Sequence, residues 1–217
     1  MIYVFDNREE ISSDELDLMR RSLDKKRQKK FDALRRREDK LGCAAAYLLL
    51  SLALRRQFEI ADFELTGGDM EKPALKGCED IHFNLSHCAN ASACIVSKFN
   101  VGIDIQETVD IPDGVTALVC TQSEKQALEK STDRTADFIK MWTLKEAVLK
   151  MLGTGLAQDM KTVDTERLEH NAACRVFERF TLAAAGGSRE EDVGALLENA
   201  VFITREELLE EAKNRTE

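Results

Sequence analysis

"IHFNLSHCANASACIVSKFNVGIDIQ", residues 81–106, decides the fold. It holds three short runs, "IHFNLSH" (81–87), "ASACIVSK" (91–98) and "VGIDIQ" (101–106), with Asn-containing turns between them. Alternating or continuous apolar runs bounded by turn residues are strand signals, and the close spacing predicts a meander. Before it, "EDKLGCAAAYLLLSLALRR" (38–56) is apolar around its whole circumference and predicts a buried helix. "FEIADFELT" (58–66) alternates as a strand does, and "TGGDMEKPALKG" (66–77) is a loop by its Gly and Pro. Residues 13–30 predict a charged helix with Ser13 as its cap. After it, a linker, "ETVDIPDGV", leads to helices expected over 121–131 and 136–152. The glycines of "GTGLAQD" stop the second helix. "CRVFERFTLAA" (174–184) predicts a strand, "AAAGGSREEDVG" a mobile loop and "EELLEEAKN" (206–214) a final helix. The class is α+β, in two halves, residues 1–100 and 101–217.

The chain is 43% hydrophobic and 33% charged, ordinary for a globular domain with a real core. No apolar run is long enough to span a bilayer, and the start, "MIYVFDNREE", is not a secretory signal, so no membrane role is expected. Cys43, Cys78, Cys88, Cys94, Cys120 and Cys174 form no C-x-x-C pair. They read as free thiols in a reducing compartment, which makes the expected location cytoplasmic. A net charge of −9 argues against a nucleic-acid binder. The charge is uneven: residues 20–40 hold eleven Lys/Arg against four Asp/Glu, whereas residues 187–217 hold four against nine. A basic stretch on an acidic protein points to a specific anionic ligand or an acidic partner; a solvated helix face would look the same.

Three constellations carry chemistry. In "VGIDIQ", Asp104 and Gln106 share one strand face, while Val101, Ile103 and Ile105 take the other, toward the core. A carboxylate and an amide oxygen suit a hard cation such as magnesium, although any half-buried strand alternates in this way. In "MWTLKEAVLK" (141–150), Glu146 and Lys150 lie one helical turn apart. A surface ion pair would be worth only a few tenths of a kcal/mol. On so apolar a helix, charges call for partners, and a metal on Glu146 with a phosphate on Lys150 would satisfy both. Trp142 reads as a core aromatic at the seam between the halves. In "FNLSHC", Asn84, Ser86 and His87 stand where a strand ends, a place that exposes N–H groups and an imidazole to a ligand; a structural histidine fits equally.

"FNLSH", then "VGIDIQ", then "WTLKEAVLK" about forty residues later resemble the 4′-phosphopantetheinyl transferase superfamily in order and spacing. The length and two-half layout resemble its surfactin-synthetase-activating, single-chain type. "EKPAL" (71–75) resembles its Gly-Lys-Pro element and "ITREELL" (203–209) its usual C-terminal end. The resemblance implies two similar α+β halves related by a pseudo-twofold, with the active site at the seam and a monomeric chain. It implies transfer of the phosphopantetheine arm of coenzyme A to a serine of an apo acyl or peptidyl carrier protein, with 3′,5′-ADP as the other product. It places a magnesium ion on Asp104, Gln106 and Glu146, with Gln106 where many members have Glu. It makes Glu146 and Lys150 catalytic and assigns coenzyme A binding to Lys26, Lys29, Lys30, Lys72, Ser86, His87 and Lys145. Lys145 and Glu124 match charged positions around the site, and the carrier would dock near residues 107–130. The chain departs from the pattern at Gly42, where the family often has a nucleotide-binding arginine, at Glu71, which replaces a glycine, and at Gln106. Two other functions use the same residues: a magnesium-dependent nucleotide hydrolase, which no P-loop supports, and a coenzyme-A-binding regulator without transferase activity, which Gly42 and Gln106 keep open.

Overall fold

The computed structural model describes residues 1–8, 10–67, 71–111, 114–154, 159–168, 171–188 and 192–216. It is α+β, as the sequence predicts. In chain order, β1 (Ile2–Asp6) leads to three helices, α1 (Ser13–Arg21), α2 (Lys25–Ala33) and α3 (Arg37–Phe58). A two-stranded pair, β2 (Leu65–Thr66) and β3 (Ala74–Leu75), is followed by β4 (His82–His87), β5 (Ala91–Ser97) and β6 (Val101–Glu107). Then come α4 (Val115–Val119), α5 (Gln122–Glu129), α6 (Arg134–Leu152), β7 (Asn171–Val176) and β8 (Phe180–Gly186). The chain ends in α7 (Val193–Glu198), β9 (Val201–Phe202) and α8 (Arg205–Asn214).

Local chemistry accounts for most boundaries. The expected helix over 13–30 is two helices. The Ser12 hydroxyl, not Ser13, accepts the Glu15 N–H in a capping box. Asp24 starts a new helix by accepting the Arg27 N–H. Such short polar acceptors satisfy donors that a helix start leaves open. Fourteen residues of α3 are buried, as its continuous apolarity requires. α6 ends at Gly153, whose φ of 74° suits glycine. Gly155 lies outside the described residues.

The expected meander is replaced by two sheets. The first has the order β4-β5-β1-β9, the second β6-β8-β7. β6 does not continue the β4–β5 hairpin but pairs antiparallel with β8, setting Asp104 opposite Ala183 and Gln106 opposite Thr181. The expected single strand over 174–184 is two strands, turning at Phe177–Arg179. Of residues 58–66 only Leu65 and Thr66 pair, with Leu75 and Ala74. Residues 183–186, expected in a loop, belong to β8, and 193–198 form α7; 189–191 fall outside the described residues.

The cores follow the alternation of the strands. Tyr3, Phe5, Phe83, Cys94 and Val96 turn one face of the first sheet onto α3. Ile2, Val4, Ala93 and Ile95 turn the other face onto Val101, Ile103, Ile105, Leu182 and Ala184 of the second sheet. Ala183 and Ala185 then meet Ala147, Val148 and Met151 of α6. The layers therefore run α3, first sheet, second sheet, α6. Trp142 belongs to the cluster under α6, 6.0 Å from Phe138, and not to the seam between the sheets. Residues 201–212 cross back: β9 lies parallel to β1, and Ile203, Leu208 and Leu209 join the first core. All six cysteines are free. Among the described residues no helix is long and apolar enough to cross a membrane.

Candidate functional site

The site forms where β4, β6 and α6 converge. Gly102 sets the approach. A Cβ there would lie 2.0 Å from the Ala147 carbonyl oxygen and 2.4 Å from the Met151 nitrogen, so only glycine lets α6 press onto β6. That contact puts Glu146 and Lys150 over the strand face that carries Asp104 and Gln106. From the other side, β4 offers side chains in place of a backbone ladder. Asn84 Oδ1 accepts the Ile103 N–H at 3.0 Å, and Ser86 Oγ accepts the Ile105 N–H at 3.3 Å. Buried N–H groups need such partners.

Asp104 is buried. Its Oδ1 accepts the Ser86 hydroxyl at 2.8 Å and the Lys150 ammonium at 2.5 Å. Lys150 also donates to Ser86 Oγ at 3.0 Å. The i,i+4 rule offered Glu146 as the partner of Lys150; the strand beneath the helix supplies a nearer carboxylate. Asp104 Oδ2 and Glu146 Oε1 are buried without a hydrogen-bond partner. The Glu146 carboxyl is held above its ordinary value, first by burial and then by the neighbouring Asp104 charge. Two mutually repelling carboxylates, each with an orphaned oxygen, are a donor set in search of a cation. Among the described residues no third acid, His or Cys completes a closed cage. The pair therefore fits magnesium, which takes one or two carboxylates and leaves positions for water and phosphate. Gln106 is partly buried on the same strand face.

Two adjoining clefts of about 350 and 300 Å³ lead to this group and share Arg27, Lys30 and Pro73. The inner one is lined by Cys43, Asn84, Ser86, His87 and Lys150. The outer one runs between α2, with Lys26 and Arg27, and the segment from Phe63 to Gly67. Lys26 bridges that cleft by donating to the Gly67 carbonyl at 2.8 Å. The His87 imidazole lies against Gly42: a Cβ at 42 would sit 2.6 Å from Nδ1. A larger residue at 42 would have to displace His87. The imidazole is held below its ordinary value by the protein packed around it and by the charges of Lys30 and Lys150.

Of the sequence-derived candidates, Asp104, Glu146, Lys150, Ser86 and His87 come together, and Lys26 and Lys30 line the approach. Lys29 is exposed on α2 and lines neither cleft. Lys72 directs its ammonium at Asn100 Oδ1 (2.6 Å), the Val101 carbonyl (2.7 Å) and the Met151 carbonyl (3.2 Å). Lys145 is buried in the C-terminal half. It pairs with Glu124 at 2.6 Å and donates to the Val119 and Met160 carbonyls. Burial opposes the Glu124 charge, yet Lys145 and the Thr165 and Thr121 N–H groups hold its carboxyl below the ordinary value. With every donor spent, the pair anchors α5 to α6. Arg27 and Asn84 were not singled out as ligand contacts, although both stand within the quoted stretches.

Residues 100–192 match the family described as the 4′-phosphopantetheinyl transferase superfamily. The 4′-phosphopantetheinyl transferase Sfp of Bacillus subtilis (strain 168) is 28% identical over 114 residues, 51% of this chain and 51% of that protein. The 4′-phosphopantetheinyl transferase ffp of Bacillus subtilis is 22% identical over 178 residues, 76% of this chain and 80% of that one. The solved holo-[acyl-carrier-protein] synthase of Thermotoga maritima covers 41% of this chain and 62% of its own at 23% identity, with a TM-score of 0.36. The match thus spans about half the length of the first of these relatives. Over residues 100–192 the chain is therefore similar to the 4′-phosphopantetheinyl transferase superfamily, and the curated relatives it matches carry that name.

Proposed function

We propose that the protein transfers the 4′-phosphopantetheine group of coenzyme A to a serine of an apo acyl or peptidyl carrier protein, releasing 3′,5′-ADP. The observation that carries this reading is the group at the seam: two carboxylates with orphaned oxygens and one lysine, at the end of a cleft walled by cations. Asp104 and Glu146, with Gln106 beside them, would hold magnesium. When bound, the ion would neutralise part of the pyrophosphate charge that repels a nucleophile.

The remaining work falls to side chains. Phosphoryl transfer asks chiefly for positioning and charge stabilisation. Lys26, Arg27 and Lys30 attract the nucleotide phosphates along α2, and His87 and Ser86 face them from β4. Lys150 reaches the inner cleft from α6 and stabilises charge on the departing 3′,5′-ADP oxygen. Glu146, through a carboxylate oxygen that the ion leaves free, accepts the serine proton. The halves 1–100 and 101–217 serve as the two walls of the site, with residues 201–214 crossing back to the first. A chain carrying both walls acts as a monomer, in the cytoplasm.

The test is to incubate the chain with coenzyme A, magnesium and an apo carrier protein and weigh the carrier intact. A gain of one phosphopantetheine is the expected result. Release of 3′,5′-ADP with no gain on the carrier would mean a hydrolase, and neither product would mean a binding protein.

A further inference from the structure

Among the described residues Phe63 is the only Phe, Tyr or Trp that lines the two clefts, and the only aromatic ring of any kind in the outer one. It stands in the irregular stretch between α3 and β2, so no ladder of backbone hydrogen bonds fixes its place. Its ring is placed by two side chains. Tyr47 lies 5.4 Å away, tilted by 41°. The Arg215 guanidinium lies 4.8 Å from the Phe63 centroid and 5.1 Å from that of Tyr47.

Arg215 is itself held on several sides. It is the C-cap of α8. Its Nε donates to the Ser22 carbonyl, its Nη1 to Ser51 Oγ and its Nη2 to Tyr47 Oη, each at 3.1 Å. Ser22 closes α1, two residues before Asp24 caps the basic helix α2. Ser51 donates in turn to the buried carboxylate of Glu211, which also pairs with Arg55. One guanidinium therefore touches the residue that closes α1 just before α2, the body of α3 and the ring of Phe63; of these, the ring of Phe63 lines the outer cleft, together with Asp24, Lys26, Arg27 and Lys30 of the α2 segment. A planar fork of five donors can do this; an ammonium on a flexible stem cannot.

We infer that Arg215 is a positioning residue for the nucleotide cleft: it holds Phe63 as the flat wall against which the base of the nucleotide lies, while the α2 cations hold the phosphates. The inference deepens the proposed function and rests on it for the identity of the ligand as coenzyme A. It gives α8, which is remote from Asp104 and Glu146 in the chain, a role in affinity and none in the chemical step. An aromatic wall contributes through stacking and is indifferent to phosphate, whereas a stray positive charge would act on every anion.

The experiment uses the full chain with magnesium, as wild type and as three variants: Arg215→Met, Arg215→Lys and Phe63→Leu. Calorimetric titration measures affinity for 3′,5′-ADP and for inorganic pyrophosphate, and steady-state transfer gives KM for coenzyme A and kcat. The expected result is a loss of roughly tenfold in 3′,5′-ADP affinity in all three substituted chains, the scale of one base–ring stack. KM rises by the same factor, while kcat and pyrophosphate affinity stay within about twofold of wild type. Wild-type affinity in Arg215→Lys would make the role one of charge and overturn the proposal. So would an equal loss for pyrophosphate, or wild-type binding by Phe63→Leu. If Arg215→Met melts early because α8 is loosened, Phe63→Leu decides alone, since it leaves the α8 hydrogen bonds in place. A wild-type chain that binds 3′,5′-ADP but modifies no carrier fails the transferase reading only. One that binds no 3′,5′-ADP overturns both.

Discussion

Lys150 is the side chain in which stability and chemistry are most entangled. Its ammonium sits on Asp104 Oδ1 at 2.5 Å, with Ser86 beside it. Lys150→Met leaves a buried carboxylate with one hydroxyl donor, so the variant should lose about 1–3 kcal/mol of stability, the usual penalty for an unpaired buried acceptor. It should bind coenzyme A within a few-fold of wild type and turn over roughly a hundredfold more slowly or worse, as when one preorganised charge-stabilising group is lost. Thermal midpoint and turnover at saturating coenzyme and carrier separate the two effects; a normal rate would remove Lys150 from the chemistry. Gln106 offers the complementary test. On the strand face of Asp104, Gln106→Glu adds an anionic oxygen and should tighten magnesium binding in a titration. Equal or weaker affinity would mean that Gln106 points elsewhere. At this scale the sequence was informative about residue type and blind to partners. Alternation placed Asp104 and Gln106 on one face, but no periodicity says which carboxylate a helix lysine meets across a sheet. Arg27 was legible in principle, because Arg27 and Lys30 lie at i and i+3 within the basic run and so share a helix face.

The element that matters most is the packed pair of α6 and β6, which meet at Gly102. The Cβ of Gly102→Ala would collide with backbone atoms of Ala147 and Met151, not with the end of a flexible side chain. Relief requires α6 to lift from the strand. The variant should lose about 3 kcal/mol, the upper end of ordinary overpacking. Its remaining folded fraction should bind magnesium poorly, because Glu146 rides away from Asp104. Chemical unfolding and a magnesium titration on the same sample check this; wild-type stability would show that the helix has room to spare. Helices were the elements that the sequence described best. α3, α6 and α8 appear within two residues of their expected bounds, because a long apolar or amphipathic period is a local property. Strand pairing is not local. β1, "IYVFD", was read only for targeting signals and proves to lie within the first sheet between β5 and β9. The alternation over 58–66 found almost no partner strand, and 174–184 hid a turn at Glu178 and Arg179 that lacks Gly, Pro or Asn.

For the whole molecule, the question is what keeps the two sheets in register at the site. Asn84 and Ser86 close part of the seam by taking β6 N–H groups. Such side-chain-for-backbone pairing leaves no trace in hydropathy, which is why a continuous meander was expected there. Lys72 closes another part. From the loop before β3 it reaches Asn100, the start of β6 and the Met151 carbonyl near the end of α6, whose partial negative charge suits a cation. This position came at a cost in hydration: burial lowers the Lys72 ammonium from the ordinary 10.5 to about 8. Between those two values the unfolded chain still carries a proton that the folded chain has shed. Stability contributed by this group therefore rises as pH rises from about 8 to 10.5. Lys72→Met has nothing to titrate, while every other group in the protein is common to both chains. The wild-type stability minus that of Lys72→Met should be lowest at neutral pH, climb through the alkaline window and level off above it. Urea unfolding of both proteins at several pH values across that window gives the difference directly. A flat difference would mean that Lys72 titrates as a free lysine, with its ammonium in water and available to a phosphate, and that the sheets are held in register by β4 alone.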